Sequence, residues 1–472
     1  HEVTEIEEFR KEIELELREA DMLERRDNIC PDLCKAFEEI LKLEDNETVK
    51  KVLITSANMS PKKAAQQQDP DLVRAAAKSI LAEKNNLLEN KVLEFMAFTD
   101  IPPGYRNKIL NSFVFVVNKY SANNDLIKAK SRMVVGGNTM TPEQHGRTAA
   151  PVTSKTILFL LFQLLCEDGM KAVCMDVGQA FCRVPLVGND MVNNEDIYIR
   201  VDPSMQDGTA STKYARLLKA LYGIKNASYL WYLEVKQLLV DKCGFTCSSV
   251  DGALFVKHDD EGHIQMVLAL HVDDTFLLYR NEEDMKMVYD NMVEKFEDVS
   301  VGGTDSFCGF CIEKNEVTNT VTVTQKGYLS TLGDELQIEA EIAKYKTKHW
   351  QLTPWDGQAA TTGLGQKEEK VNVTKYQQLV GLINYAVQLR SDVQIMASML
   401  STRNQDPRLD DWIRAVRVVW YLRNTADLGA TFKPIERING KINLYATADG
   451  SYALRRDGEG VTGVTVSLRP NG

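Results

Sequence analysis

The 472-residue chain has no long apolar run. Its longest, Ile157 to Cys166, falls far short of the ~20 residues that cross a bilayer, so it reads as a core helix. No basic-then-apolar segment opens the chain; the first residues are acidic, and no secretory signal is read there. Histidine is scarce, with six in all, and none lies near either cysteine grouping, Cys243 with Cys247 or Cys308 with Cys311. That leaves reduced, buried thiols as the expected state of the nine cysteines, ahead of structural zinc. Proline and glycine are modest, at 13 and 28, which excludes collagenous or low-complexity chains and suits an ordinary globular protein of about three domains. A surplus of positive charge is also missing, since the formal net charge is −11. Its location matters more than its sum. Residues 1–100 hold 15 Lys and Arg against 23 Asp and Glu, and the remainder is nearly balanced, so a basic groove elsewhere is not excluded.

Carboxylates in unusual company are present. Asp273 and Asp274 stand between two apolar runs, Met266–Leu270 and Phe276–Tyr279, each of which reads as a buried strand. The pair should therefore sit at a hairpin tip, where acidic residues are most often solvated turn formers. A third carboxylate changes the reading. Asp176 ends the apolar run Ala172-Val173-Cys174-Met175 and precedes Val177-Gly178-Gln179-Ala180-Phe181. Carboxylates packed together repel, and one or more protonates unless a cation neutralises them. Hard divalent ions with oxygen ligands serve this purpose, and two of them stabilise the attacking and leaving oxygens of an in-line phosphoryl displacement. The three residues fit that scheme if the two segments pair side by side.

At these residues the chain resembles reverse transcriptases of the Ty1/copia class of long-terminal-repeat retrotransposons. Asp176–Phe181 looks like polymerase motif A, and Val272-Asp273-Asp274 like motif C. Leu218–Tyr232 is similar to the family's "LYGLKQAPRLWY" segment. Lys128–Gly137 resembles "KARLVARG", Ala150-Pro151-Val152 "APV", and Asp196–Pro203 "EIYMxQP". Phe307–Ile312 stands where "FLGIEI" is expected, and Tyr376–Tyr385 and Arg390–Val393 resemble "YRxLVGSLxYL" and "TRPDI". The match runs in order over residues 68 to 468. Four positions depart from the pattern: His271, Cys182, Ser228 and Ser391. None removes a carboxylate, although His271 puts the seating of the primer end in question.

The resemblance implies an α+β right-hand polymerase: fingers, a palm with an antiparallel sheet, a helical thumb, and the truncated start of an RNase H-like domain. It implies an acidic helical extension at 1–67, fingers at 68–165, palm at 166–325 with a fingers insertion near 186–228, thumb and connection at 326–435, and the RNase H-like start at 436–472. The implied activity is RNA-directed DNA polymerisation with two Mg2+, for which Mn2+ may substitute. Asp176, Asp273, Asp274 and the Val177 carbonyl would hold the metals. Lys130, Arg132, Val177, Gly178, Phe181, Tyr222 and Gly223 would bind the incoming dNTP, with Phe181 under the sugar. Phe307 and Gly309 would form the primer grip. Implied partners are an RNA template, a DNA or RNA primer, dNTPs, and other polyprotein products such as integrase and the rest of RNase H, with no membrane. The implied location is intracellular, in a cytoplasmic virus-like particle or the nucleus.

Further readings rest on pattern. Residues 4–27 read as an amphipathic helix and 31–43 as a second, followed by a helix at 70–95. Strands are expected at Phe113–Lys119 and Lys130–Val135. Lys130 and Arg132, two apart, share one strand face, either gripping phosphate or simply solvated. A helix spans 284–298, strands run over Phe307–Glu313 and Val317–Thr324, and a polar loop covers 356–374. Helix Asp410–Asn424 carries Trp412, Arg414, Arg417, Trp420 and Arg423, read either as a nucleic-acid track or as a core tryptophan stripe. Asp449 closes a strand as an RNase H-like remnant or a turn residue; only 23 residues follow it, too few for that domain's activity. Two competing functions remain open: an inactive, co-opted polymerase fold that binds RNA or a protein, and an interaction module built on the acidic N-terminus.

Overall fold

The computed structural model describes residues 54–55, 59–67, 69–120, 126–186, 195–304, 307–347, 350, 353–354, 369–435, 442–451 and 461–470. The helices expected at 4–27 and 31–43 and most of the loop at 356–374 lie outside the described residues. The principal elements are α1 (Pro70–Glu89), β1 (Leu93–Met96), β2 (Leu110–Tyr120), β3 (Leu126–Val135), α2 (Lys155–Leu165), β4 (Lys171–Val177), β5 (Tyr198–Arg200), β6 (Tyr214–Leu217), α3 (Ala227–Asp241), β7 (Leu254–His258), β8 (Ile264–His271), β9 (Asp274–Tyr279), α4 (Glu282–Phe296), β10 (Val299–Gly302), β11 (Cys311–Asn315), β12 (Thr320–Thr324), α5 (Val373–Ala386), α6 (Gln394–Ser401), α7 (Leu409–Asn424), β13 (Ala430–Phe432), β14 (Ile442–Ser451) and β15 (Val461–Pro470).

The first sheet runs Ile54–Thr55, β2, β5, β6, β1, with β3 added on β2; only β2 and β5 are parallel. Strands 198–200 and 214–217 thus leave their sequence neighbours and join β1 and β2. Ile54 lies opposite Tyr120, and Met59 exchanges backbone hydrogen bonds with Val116. Ile54–Thr55 and Met59, which fall before the expected boundary at residue 67, thus pair with this sheet. Helix α1 covers it. Asp69 caps the helix by accepting from the Asp71 N–H, Pro70 occupies the first turn, and Ala76, Ala77, Ile80 and Leu87 face inward. It stops at Glu89, short of the expected 95, because Lys91 turns into the left-handed region at φ 50° and β1 begins.

The second sheet carries the acidic centre. Its order is β10, β4, β9, β8, β7 and the short strand Thr246–Cys247, all antiparallel. Both faces are covered. Met266, Leu268, Leu270 and Leu277 pack toward α3 and α4, while Val267, Ala269, Phe276 and Leu278 pack toward α2. Two buried faces are the reason these strands read as continuous apolar runs without alternation. A third sheet, β11-β12-β13, packs on α2 through Phe432, which lies 5.6 Å from Phe159 and 5.7 Å from Phe162, ring to ring.

Helices α5, α6 and α7 enclose a separate core with Tyr376, Ile383, Met396, Leu400, Trp412 and Val416. Within α7 the core stripe prevails over the nucleic-acid track. The Trp412 indole donates to Glu341 at 2.8 Å, Arg417 is buried and donates to Thr353 Oγ1 at 3.0 Å, and Arg423 pairs with Asp334 at 2.9 Å. Strands β14 and β15 pair as a two-stranded hairpin in which Asp449 lies opposite Gly463. Asp449 is thus inside a strand that continues to Ser451, which sets aside its reading as a turn residue.

Candidate active site

The β8–β9 hairpin closes with His271 opposite Asp274, leaving Val272 and Asp273 as a two-residue loop. Such loops favour turns with positive φ at the first central position. Val272 takes φ 58°, which is unfavourable for a β-branched residue and must be held by its surroundings. The holder is Trp231. Its ring is fully buried in α3, and its Nε1–H donates to the Val272 carbonyl at 2.6 Å.

The register that sets this tip also sets the acidic cluster. Asp274 lies directly opposite Asp176 across the β9–β4 pair. Side chains at directly opposed positions share a face, with Cβ atoms about 4.5–5.5 Å apart. The side-by-side pairing required of the two segments is therefore present, with Asp273 next to it at the tip. The charges feel one another. Burial, then the charges of Asp273 and Asp176, pushes the Asp274 carboxyl up to about 6. Asp176 is exposed as a residue, but crowding of its carboxyl and the charge of Asp273 push it above the ordinary range, while Lys130 and Arg132 pull it back.

Among the described residues, no three His, Cys, Asp or Glu side chains converge tightly enough to form a ready-made metal cage. The donor set nonetheless fits a hard cation: the side-chain ligands are all carboxylate oxygens, and their mutual repulsion is what a cation would relieve.

A fourth carboxylate, absent from the expected set, lies close to Gly178. The Gly178 N–H donates to the Asp298 backbone carbonyl at 2.8 Å, and a Cβ on Gly178 would collide with the Asp298 carboxyl group. Asp298 also adds its negative charge to the field at Asp176. Its only signal in the sequence is an acidic residue at a helix-to-strand joint. The glycine's role in this structure is close approach to that residue.

The cations expected to hold triphosphate stand on the exposed face of β3. The Arg132 guanidinium lies 4.9 Å over the Tyr222 ring, and Tyr222 meets Phe181 edge-on at 5.2 Å. Arg132, Tyr222 and Phe181 are thereby one continuous chain of contacts. Burial pushes the Tyr222 phenol up to about 12, so it stays protonated at neutral pH. Gly223 takes φ 92°, and a Cβ there would collide with the Val135 carbonyl, while the Val135 N–H donates to the Tyr222 carbonyl at 2.8 Å. The close backbone approach expected at this glycine is made by the end of β3.

Phe307 is buried 5.1 Å from Phe276 and 6.4 Å from His271, ring to ring, so it packs along the tip half of the acidic hairpin. The strand expected from 307 starts only at Cys311, because Cys308 and Gly309 take φ 51° and 78° and form a turn. Tyr385 of α5 donates to the Cys308 carbonyl at 3.3 Å. Asp449 is not brought to this centre by strand pairing, since β14 pairs with β15 and not with the second sheet.

Residues 95–347 match the family described as reverse transcriptase (RNA-dependent DNA polymerase). The chain is 25% identical over 401 residues to the retrovirus-related Pol polyprotein from transposon RE2 of Arabidopsis thaliana, covering 84% of this chain and 25% of that protein. It is 23% identical over 392 residues to the transposon Ty1-GR1 Gag-Pol polyprotein of Saccharomyces cerevisiae, covering 78% of this chain and 20% of that one. The chain thus spans about a quarter or less of the length of these relatives. Among solved structures it is similar to a foamy viral protease-reverse transcriptase in complex with RNA/DNA hybrid, at 12% identity and a TM-score of 0.33, over 90% of this chain and 54% of that one.

Proposed function

The chain belongs to the reverse transcriptase (RNA-dependent DNA polymerase) family, in its Ty1/copia-type retrotransposon branch, and from that membership we propose that it extends a primer 3′-hydroxyl with dNTPs on an RNA or DNA template. In this reading α1 with the first sheet forms the fingers, the second sheet the palm, and the α5–α7 cluster the thumb. The observation that carries it is the opposition of Asp176 and Asp274 across two strands with Asp273 at the adjoining tip.

Asp176, Asp273 and Asp274, with the Val177 carbonyl, would hold two Mg2+ ions, or Mn2+ in their place. Bound there, such ions activate the attacking hydroxyl and neutralise charge on the transferring phosphoryl group. The remaining roles belong to the chain. Lys130 and Arg132 offset triphosphate charge from the exposed face of β3. Phe181, backed by the Tyr222 ring, supports the deoxyribose and excludes a 2′-hydroxyl. Gly223, packed against the end of β3, sets Tyr222 at the nucleotide site. Phe307 and Gly309 seat the primer end beside His271. RNA template, primer and other products of a Pol polyprotein are the proposed partners, within a cytoplasmic particle or the nucleus.

The test is primer extension on an RNA template with dNTPs and magnesium, comparing wild type with Asp273→Asn. Extension by the wild type and a loss of at least about 100-fold in the variant are expected. Absence of extension by both, with tight RNA binding retained, would favour a co-opted RNA-binding protein instead.

A further inference from the structure

One buried carboxylate belongs to no role assigned so far. Glu83 lies in the C-terminal half of α1 and is 6% exposed. Buried glutamates are rare unless paired or fully hydrogen-bonded, because losing water destabilises the charged form. Each oxygen of Glu83 has a different partner. Oε1 accepts the Met133 backbone N–H at 3.0 Å, and Oε2 accepts from Gln179 Nε2 at 3.3 Å. Met133 belongs to β3, one residue past Arg132. Gln179 lies three residues past Asp176, in the left-handed region at φ 53°. Ser79, one helical turn before Glu83, bonds Ser131 of the same strand. Ser131 and Met133 therefore face α1, and Lys130 and Arg132 face the other way.

We infer that Glu83 is a positioning residue for nucleotide binding: it ties the strand bearing Lys130 and Arg132 to the segment that follows Asp176. This inference rests on the proposed polymerase function and adds a residue to it. The charges of Arg132 and Lys130 act on Glu83 against its burial, so the carboxylate and the two cations stabilise one another through the strand. Glu83 makes no contact with substrate in this scheme. It fixes the separation between the cations and the acidic centre, and a triphosphate must bridge the two.

Geometry and field predict opposite signs, which makes the idea testable. Removing the carboxylate's charge alone would leave Lys130 and Arg132 more attractive to anions, and KM for dNTP would fall. Loss of positioning raises it. The experiment compares wild type, Glu83→Met, Glu83→Gln and Ser79→Ala in steady-state primer extension. Inorganic tripolyphosphate titration and hydrogen exchange over residues 126–135 and 177–184 are measured in parallel. Glu83→Met keeps the volume but accepts from neither partner; it should raise KM at least about fivefold with kcat within about twofold, the signature of lost uniform binding. It should weaken tripolyphosphate binding and speed exchange in both segments. Glu83→Gln removes the charge and keeps both links, since its oxygen still accepts the Met133 N–H and a reversed Gln179 amide accepts from its NH2, so KM should stay level or fall. Ser79→Ala should leave KM within about twofold. A KM in Glu83→Met no higher than in Glu83→Gln, or exchange in Glu83→Met at wild-type rates, overturns the inference. If the wild type extends no primer, the polymerase reading fails by itself, and the tripolyphosphate and exchange results alone decide the role of Glu83.

Discussion

Asp274 shows what the acidic centre does to the fold that contains it. With its carboxyl raised to about 6, the folded protein binds a proton that the unfolded chain, titrating near 3.8, releases earlier. The sign follows from linkage: stability falls as pH rises wherever the native state holds more protons. The penalty is absent below about pH 4, grows between 4 and 6, and is complete above 6. Allowing for solvent screening of a half-buried group, it is about 1–2 kcal/mol. Asp274→Asn should therefore raise the melting temperature at pH 8 in the absence of divalent ions, with little change at pH 4. Magnesium should narrow the gap by stabilising the folded wild type through mass action. Calorimetry at the two pH values, with and without magnesium, checks this; equal melting temperatures for both proteins at pH 8 would contradict it.

At the scale of elements, the acidic hairpin depends on a helix distant in sequence. Val272 would not hold φ 58° without the Trp231 indole on its carbonyl. Trp231→Phe removes that donor, strands a half-buried carbonyl and leaves space in the core, which together should lower stability by about 2–4 kcal/mol. Urea unfolding measures the loss. Primer extension should fall at least about tenfold, since the tip carries Asp273. The strands themselves were legible: apolar runs broken by acids read as a hairpin, and the segment resemblances placed Asp176, Lys130, Arg132, Phe181 and Tyr222 in one neighbourhood. What pattern could not show is contact. Trp231 reads as one more apolar helix position, and nothing in sequence aims its N–H at residue 272. Glu83 reads as a solvated charge on an alanine-rich helix. Asp298 has no periodic context, and Ile54–Thr55 is too short to display a period of two, so the sheet's first strand falls within the expected N-terminal extension. Residues 308–309 break the expected strand through backbone angles that a cysteine does not advertise.

At the scale of the molecule, the chain closes its architecture late. After the α5–α7 cluster it returns through β13 to pair with β12, so the third sheet is completed by residues far downstream of its first two strands. Phe432 carries this return. Its ring packs on Phe159 and Phe162 of α2, the helix that also covers one face of the sheet bearing the carboxylates, and Gln163 donates to the Lys433 carbonyl at 2.7 Å. The β14–β15 hairpin differs, because its strands pair with each other and extend none of the other three sheets. Two truncations separate these cases. Ending the chain after residue 435 removes, among the described residues, the hairpin alone and should leave the melting temperature within about 2 °C of the full chain, with primer extension intact. Ending it after residue 428 strips β13 from the third sheet, exposes the edge of β12 and empties the Phe432 site. That should lower stability by on the order of 3 kcal/mol and depress primer extension, because α2 loses support beneath β8 and β9. Equal melting temperatures for the two truncated proteins would mean that β13 and Phe432 add nothing to the support that α2 gives the acidic sheet.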